Sequence, residues 1–487
     1  MRTLIVVDKP KHWPINIPGV EVVSARSYLT DEALSDIRLA RVFNLCRSYR
    51  YQTAGYYVSL LAEARGHRAT PKMSTIQDMK SQAVVKIASD ELDDLIQHSL
   101  AAIQSDKYTL SVYFGESLVK RHERLALKLF GAFHVPFMRA QFSRGKKWSL
   151  QSLQPMASSE IPEEHRAFVQ QAAIEYFSRR RVRLHRRRPA RYDIALLRNA
   201  VETTPPSDER AIRKFIKAAE SRDADVEVIG REDYGRLAEF DALFIRETTS
   251  VNHHTFRFAR RAEWEGLAVI DDPESILKCA NKVFLAELLR KRGVPTPQTL
   301  IIHQDNVAQA PALLGFPLIL KQPDSYFSLG VTKVESEQEY YYEAERLLDD
   351  SDMIIAQRFM PTEFDWRVGV LDRRPLFVCR YYMASGHWQI INKNVVGARR
   401  EGDADCVPVG QAPPAVLRTA LRAANLVGDG LYGVDLKQVG RRVYVIEVND
   451  NPNIDAGYED QAMGDALYLE IVDSIIRRIE VRRSRRP

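Results

Sequence analysis

At 487 residues, with 45% hydrophobic and 28% charged side chains, the chain is ordinary for a globular protein of about two to four domains. Its net charge of +6 is concentrated in local runs, and no apolar stretch approaches the ~20 residues of a membrane span, which excludes a helical membrane protein. Cys46, Cys279, Cys379 and Cys406 lie far apart without metal-ligand spacing and read as reduced thiols of a cytoplasmic protein.

Leu4-Ile5-Val6-Val7 is too short for the apolar part of a signal peptide and meets Asp8-Lys9 at once, so it reads as a first buried strand. Residues up to about Pro189 read as one α/β unit. Ala33 to Tyr49 is helical in pattern, and Tyr56 to Ala62 reads as the next helix, closed by Gly66. Tyr108 to Tyr113 alternates like a strand, Arg124 to Leu129 reads as a helix, and Phe137 to Phe142 with Trp148 to Leu150 suggests a hairpin around Gly145. No metal, nucleophile or phosphate signature occurs here. Tyr49, Tyr51, Tyr56 and Tyr57, beside Arg47 and Arg50, read as a packed aromatic helix face rather than a ligand surface.

A basic run follows: Arg179, Arg180, Arg181, Arg183, His185, Arg186, Arg187, Arg188 and Arg191. It continues a helix from near His165 and ends at Pro189, the first domain boundary. Such a run can neutralise phosphates. Lacking interleaved aromatics or a nucleic-acid motif, it reads first as a solvated linker helix.

From Asp193 the pattern becomes strand-helix-strand. Ile194 to Leu197, Val226 to Ile229 and Ala242 to Ile245 read as strands, and Glu209 to Ala219 as a helix. Ligands bind outside the carboxyl ends of strands in open α/β sheets. Arg246, just past the last strand, is therefore a candidate to grip an anionic substrate group, with a solvated loop arginine as the alternative. His253 and His254 read as plain loop residues. Pro273 opens a helix, and Asn281-Lys282 precedes an amphipathic helix from Phe284 to Arg292 that Gly293 stops.

Pro317 to Lys321 is a buried strand ending in a lysine, followed by a small-residue loop through Ser325, Ser328 and Gly330. Backbone N–H groups plus one ammonium are a way to cover phosphates. Ile354 to Met360 is a strand leading out, and Asp365 to Leu371 and Leu376 to Tyr381 are the next pair. Arg367 and Arg380 within these strands suggest anion binding, and Arg400 is a weaker candidate of the same kind. The tail from Arg477 to Arg486 is basic and reads as frayed.

Gly433 to Leu436 and Tyr444 to Asn449 read as two strands turned at Gly440-Arg441-Arg442. Val434 and Leu436 form one apolar face, with Tyr444, Ile446 and Val448 on the return strand. Pairing Val434 with Val448 and Leu436 with Ile446 sets Asp435 opposite Glu447, with Asn449 on the same face. Opposed carboxylates repel. A hard divalent cation such as Mg²⁺ would turn that cost into an attraction.

These pieces, in this order, resemble the ATP-grasp superfamily and, within it, the RimK and glutathione synthetase branch. The resemblance rests on Lys282, Lys321 with its loop, Asp365-Trp366-Arg367, Arg380, Gly433-Val434-Asp435, and Glu447-Val448-Asn449 before Asn451-Pro452, and covers about 192–478. The N-terminal part resembles, more weakly, the extra domain of some RimK-like enzymes. The resemblance implies an α/β chain with that domain at 1–189, a pre-ATP-grasp domain at 190–280, a two-subdomain ATP-grasp domain at 281–480 and a basic tail at 481–487.

It further implies ATP-dependent carboxylate–amine ligation through an acyl phosphate. Lys282, Lys321, Ser328 and Gly330 would meet the ATP phosphates; Gln357, Arg358, Phe359 and Met360 would hold adenine, largely through backbone groups. Asp435, Glu447 and Asn449 would bind Mg²⁺, two ions in this family, with Mn²⁺ as the substitute. Arg367 and Arg380 would face the transferred phosphate, with Arg246 and Arg400 toward substrate. The chain departs from the family in carrying Ser325 and Ser328 where glycine is common, and Arg358 in place of an acidic hinge residue. Expected partners are a carboxylate and an amine, either small molecules or a protein tail, with no membrane; related enzymes are often homo-oligomers. The rival from another class is a nucleotide-sensing RNA- or ribosome-binding protein that uses the arginine run. The coincidence of Asp435, Glu447, Asn449 and both lysines favours turnover.

Overall fold

The computed structural model describes residues 2–13, 15, 17, 19–37, 40–178, 190–324, 330–384, 387–390 and 402–484. The chain divides into two compact units. One comprises 1–191, 232–239 and 483–487; the other comprises 192–231 and 240–482.

The first unit holds a parallel sheet of order β2-β1-β3-β4, from β1 (Arg2–Val7), β2 (Glu21–Ser24), β3 (Ala40–Asn44) and β4 (Arg68–Thr70). A separate antiparallel sheet runs β5 (Lys107–Tyr113), β6 (Phe137–Arg144), β7 (Trp148–Pro155). The helix expected over Ala33 to Tyr49 is not formed. Only Glu32–Ser35 is helical, and Ala40–Asn44 is a strand with Val42 opposite Leu4. Ala40, Val42, Phe43 and Asn44 are all buried, so this strand is covered on both faces and lacks the alternation that marks a half-exposed strand. The tyrosine group is not one packed face either. Tyr49 is buried with its hydroxyl on Asn44 O at 2.5 Å, whereas Tyr51 is 70% exposed.

The second unit begins with a parallel sheet of order β11-β10-β8-β9: β8 (Tyr192–Leu197), β9 (Ala224–Ile229), β10 (Ala242–Ile245) and β11 (Ala268–Ile270). The Glu209–Ser221 helix packs on it through Ile212, Phe215 and Ala219, one helical stripe. Asp208 caps that helix by accepting the Ala211 N–H at 2.8 Å.

Two antiparallel sheets follow. The first is β12-β15-β13-β14, from β12 (Thr299–Ile302), β13 (Leu318–Lys321), β14 (Val331–Val334) and β15 (Ile354–Arg358). Leu318, Leu320 and Ala356 share a core with Tyr340, Ala344 and Leu347 of the Glu337–Asp350 helix. Alternation sends Ile319, Lys321 and Gln357 to the other face.

The second sheet is β18-β17-β16-β19-β20: β16 (Phe364–Leu371), β17 (Arg374–Tyr382), β18 (Ala404–Val407), β19 (Leu431–Val439) and β20 (Arg442–Asn449). The Pro414–Val427 helix covers one face, packing Val416, Ala420, Ala423 and Ala424 against Trp366, Val368, Val434 and Leu436. The opposite face carries Arg367, Asp435 and Glu447.

Two sequence expectations change here. Cys379 and Cys406 are directly opposed in β17 and β18 and joined by a disulfide, while Cys46 and Cys279 are buried free thiols. Strands far apart in sequence meet in an antiparallel sheet, and linear spacing does not show that. The basic tail is not frayed over its described part: the Asp465–Ser484 helix includes Arg477 to Ser484, and Arg478 bonds Asp372 at 2.7 Å and Asp429 at 3.0 Å. The arginine run from 179 to 188 lies outside the described residues. No helix among the described residues is long and apolar enough to cross a membrane.

Gly433 stands where the chain after β20 crosses β19. A Cβ there would lie 2.7 Å from Pro452 Cβ, a contact that real Cβ atoms essentially never show. Gly433→Ala should therefore destabilise the protein by about 1–3 kcal/mol through overpacking. Gly410→Ala, where a Cβ meets nothing within 4 Å, should stay within about 0.5 kcal/mol of the parent. Urea unfolding of the two variants checks the contrast; equal stability would show that Pro452 yields at no cost.

Candidate active site

The β16–β19–β20 register places Arg367 opposite Asp435, and Asp435 opposite Glu447. The row is legible from a period of two, but the pairing beyond it is not as expected. A bulge follows Asp435, so Leu436 pairs with Val445 instead of Ile446. The buried residues of β20 are accordingly Val443, Val445 and Val448, and Tyr444 and Ile446 leave the core.

The opposed carboxylates are not bare. Arg367 forks onto Asp435, with Nε to Oδ1 at 2.6 Å and Nη2 to Oδ2 at 2.7 Å. Asn449 Nδ2 donates to Asp435 Oδ2 at 3.1 Å. Lys282 Nζ lies 2.9 Å from Glu447 Oε1. Burial acts first on each carboxylate and raises its pKa. At Glu447 the Lys282 and Lys321 ammoniums outweigh burial, and its pKa falls below the ordinary value. At Asp435 burial prevails over Arg367, and its pKa is raised. Burial lowers the Arg367 pKa, but the Asp435 charge, Tyr381, the bonds to Asp435 and Glu459 together outweigh it, and the guanidinium is held above its ordinary value.

Lys321, at the end of β13, donates to Gln357 Oε1 at 2.9 Å, and Gln357 Nε2 donates to Thr299 Oγ1 at 2.9 Å. Burial pushes Lys321 down to about 8, with Lys282 and Lys437 adding to the shift against Glu447. Lys437 reaches Asp365 Oδ1 at 2.6 Å and Thr362 Oγ1 at 2.7 Å. The cluster thus holds four cations (Lys282, Lys321, Arg367, Lys437) and three carboxylates (Asp365, Asp435, Glu447), one positive charge in excess. Leu285, Leu289, Thr299 and Ile355 join Lys282 and Glu447 around a narrow cleft beside it.

Asp435, Glu447 and Asn449 offer only oxygen ligands, the set a hard Mg²⁺ ion takes. Each Asp435 oxygen accepts one N–H from Arg367, and Oδ2 a second from Asn449. A carboxylate oxygen has two lone pairs, so Oδ1 and the Glu447 carboxylate keep acceptor capacity for an ion.

Other predicted residues lie elsewhere. Arg380 pairs in register with Trp366, hence on the sheet face opposite Arg367, and bonds Asp405 Oδ1 at 3.1 Å. The structure does not bring the two arginines together, because they lie thirteen positions apart across a bulged hairpin and fall on opposite faces. Arg246 is not an open anion grip. It is 1% exposed, and its guanidinium donates to Ser207 Oγ at 3.0 Å, Asn451 Oδ1 at 2.7 Å, Pro452 O at 2.8 Å and Pro206 O at 2.5 Å. Gln357 points inward to Lys321, while Arg358 is exposed and gives its N–H to Gln298 O at 2.9 Å. Phe359 lies under Lys333 and against Trp388, with Met360 next to it, partly buried. Gly330 has φ +68°, a left-handed conformation that favours glycine. Ser328 and Arg400 lie outside the described residues. Sequence reasoning missed Lys437 as a member of the cluster, and used Asp365 only as part of a motif. Asp365 lies two residues from Arg367, so strand alternation alone puts it on the site face.

Residues 25–172 match the RimK-like ATPgrasp N-terminal domain family. The chain is 26% identical over 280 residues to a probable alpha-L-glutamate ligase of Stutzerimonas stutzeri, covering 53% of this chain and 89% of that protein. It is 25% identical over 295 residues to the protein of the same description from Aliivibrio fischeri, covering 56% and 93%. Among solved structures, the RimK domain protein ATP-grasp from Sphaerobacter thermophilus aligns at TM-score 0.45 and 18% identity, over 58% of this chain and 98% of that one. The D-alanine–D-alanine ligase from Bacillus anthracis aligns at TM-score 0.48 and 16% identity, over 60% and 99%.

The chain is α/β, and the proteins it resembles are described as ligases. It is similar to the RimK-like ligases in the domain matched over 25–172 and, over about half of its length, to probable alpha-L-glutamate ligases.

The Arg367–Asp435 fork changes what removing a carboxylate does. Neutralising Asp435 relieves its repulsion with Glu447 but leaves a largely buried guanidinium without its counter-charge. Asp435→Asn should lower stability by on the order of 3 kcal/mol in metal-free protein, and Arg367→Met added to it should recover part of that loss. Chemical denaturation of the two singles and the double variant measures the coupling. Additive losses would show that the pair is not an interacting unit.

Proposed function

We propose that this ligase joins a carboxylate to the amine of an amino acid, small peptide or protein tail through an acyl phosphate. The reading is carried by one observation: Lys282, Lys321, Arg367 and Lys437 converge around Asp435 and Glu447 with net positive charge. Glutamate is the first amine to test, since the curated relatives are named as glutamate ligases. In this reading 1–189 is the RimK-associated domain, 190–280 the pre-ATP-grasp domain and 281–480 the ATP-grasp domain. The reaction is assigned to the cytoplasm, where ATP is supplied.

Asp435, Glu447 and Asn449 would hold Mg²⁺, two ions by family resemblance, with Mn²⁺ as the substitute. A bound ion would supply charge neutralisation at the nucleotide phosphates. Lys282 and Lys321 take phosphate oxygens as ATP enters, and Gln357 keeps the Lys321 ammonium on the site face. The substrate carboxylate attacks the γ-phosphorus, ADP leaves, and an acyl phosphate forms. Arg367 meets the charge on the transferred group. The amine then attacks the acyl carbon, loses a proton, and inorganic phosphate departs. Gln357 to Met360 would hold adenine, with Gly330 in the covering loop. Arg380 and Arg246 drop out of direct roles on their geometry.

Hydroxylamine should trap the acyl phosphate as a hydroxamate when Mg²⁺-ATP and the right carboxylate are present. Glu447→Gln should reduce that yield to background. A broad carboxylate screen giving neither hydroxamate nor carboxylate-dependent ADP would remove the ligation reading.

A pH dependence follows from Lys321. With its pKa at about 8 in the free protein, nucleotide phosphates bind the protonated form and raise it. Affinity should be flat below pH 8 and fall above it, up to about tenfold per pH unit, until the bound-state pKa is reached. Lys321→Arg should flatten the profile, because guanidinium keeps its proton. Calorimetric titration of ADP from pH 7.5 to 9.5 at fixed Mg²⁺ reads both. The sign for stability is the reverse: the folded state binds this proton more weakly than the unfolded chain, so this group's contribution rises between about 8 and the ordinary lysine value.

A further inference from the structure

The loop that leaves β10 and the start of the His254–Trp264 helix carry a cluster outside the proposed phosphate site. Glu247, His253 and His254 bring one ligand atom each to within 4.8 Å of the others. Glu247 is 1% exposed and His254 8% exposed. Both Glu247 carboxylate oxygens lack a hydrogen-bond partner among the described residues, and so does His254 Nε2. His254 Nε2 sits 2.9 Å from Glu247 Oε1 without hydrogen-bond geometry. A buried carboxylate with neither oxygen bonded is costly to leave that way.

We propose that Glu247, His253 and His254 bind a first-row divalent transition ion, with Zn²⁺ the best match. Two imidazole nitrogens and one carboxylate oxygen are the donor set such ions prefer, and Mg²⁺ does not compete for imidazole. Ligands about 2.0–2.2 Å from one Zn²⁺ lie about 3.4 Å apart in a tetrahedron. Reaching that from the present spacing needs side-chain shifts of about an ångström. The surroundings hold the ligands in place. His253 Nδ1 lies 3.1 Å from Thr255 Oγ1, which donates to Thr248 O at 3.3 Å. Glu202 accepts the Thr248 N–H at 3.2 Å, and Asn451 Nδ2 donates to the Glu247 carbonyl at 2.7 Å. Through Asn451 the site adjoins the turn after Asn449, so a bound ion braces that turn. Three protein ligands leave a fourth position open.

The test uses the full chain, stripped with a chelator and returned to excess Mg²⁺ and ADP so that the oxygen-lined site is filled. Titration with Co²⁺ should give visible absorption bands stronger than those of aqueous Co²⁺, saturating at one equivalent and abolished by Zn²⁺. Zn²⁺ should also raise the Tm of the wild-type protein. Glu247→Gln and His253→Ala should each weaken Co²⁺ binding at least tenfold while ADP binding, which reports a folded chain, is kept. His253 is only partly buried, so its variant remains informative if the glutamate variant unfolds. No enhanced band at millimolar Co²⁺, or a band unchanged in both variants, would overturn the site. So would a band lost in Glu447→Gln instead, which would place the ion among the phosphate ligands.

Discussion

Two carboxylates set side by side on one sheet face need cations, and this fold supplies them from three directions. Arg367 comes from the neighbouring strand, Lys282 from the start of the Lys282–Lys291 helix, and Lys321 from the end of β13 in another sheet. Each carboxylate thereby fixes the position of a basic group that would otherwise sample many rotamers. The arrangement is preorganised for a polyanion, since its excess charge is positive and its donors are already oriented. It is also self-limiting. Without a ligand the basic groups are neutralised internally, so the buried face is stable while empty.

The demands of that face reach well into the surrounding structure. Gly433 lets Pro452 close against β19, which turns the chain after Asn449 back toward the parallel sheet. Arg246 then receives it, bonding Asn451 and the Pro452 carbonyl on one side and Pro206 and Ser207 on the other. Burial lowers the Arg246 pKa only to about 10, so its charge persists at neutral pH and all these acceptors remain engaged. A residue that reads as a substrate arginine from its place at a strand end instead fastens the turn that follows Asn449.

What could be read from sequence follows physical lines. The opposed Asp435 and Glu447 were legible because strand alternation fixes faces, and a buried apolar face fixes register. The bulge after Asp435 was not, since one extra residue leaves the carboxylate row intact and alters only the pairing beyond it. Arg380 was misplaced for a related reason: parity across a turn depends on how many residues the turn and its irregularities consume. Ala40–Asn44 was read as helix because a strand buried on both faces has no period of two. The partners of Arg246 lie about 40 and 205 positions away, and the Cys379–Cys406 disulfide depends on which strands adjoin. Local pattern cannot supply either.

The same reasoning separates the two charged clusters of the larger unit. In the Asp435–Glu447 cluster every carboxylate has a cation within bonding distance, so its acids are already satisfied and the cluster favours an added anion as much as an added metal. At Glu247 no lysine or arginine among the described residues is within ion-pair distance; the imidazole of His254 is, and neither carboxylate oxygen is hydrogen-bonded among them. Desolvation makes the first arrangement favourable as it stands and the second incomplete. A buried acid beside two imidazoles is completed by a proton or by a metal ion, and only the metal uses all three ligands at once. Because Asn451 bonds both the Glu247 carbonyl and the Arg246 guanidinium, whatever completes that cluster acts on the same turn that presents Asn449.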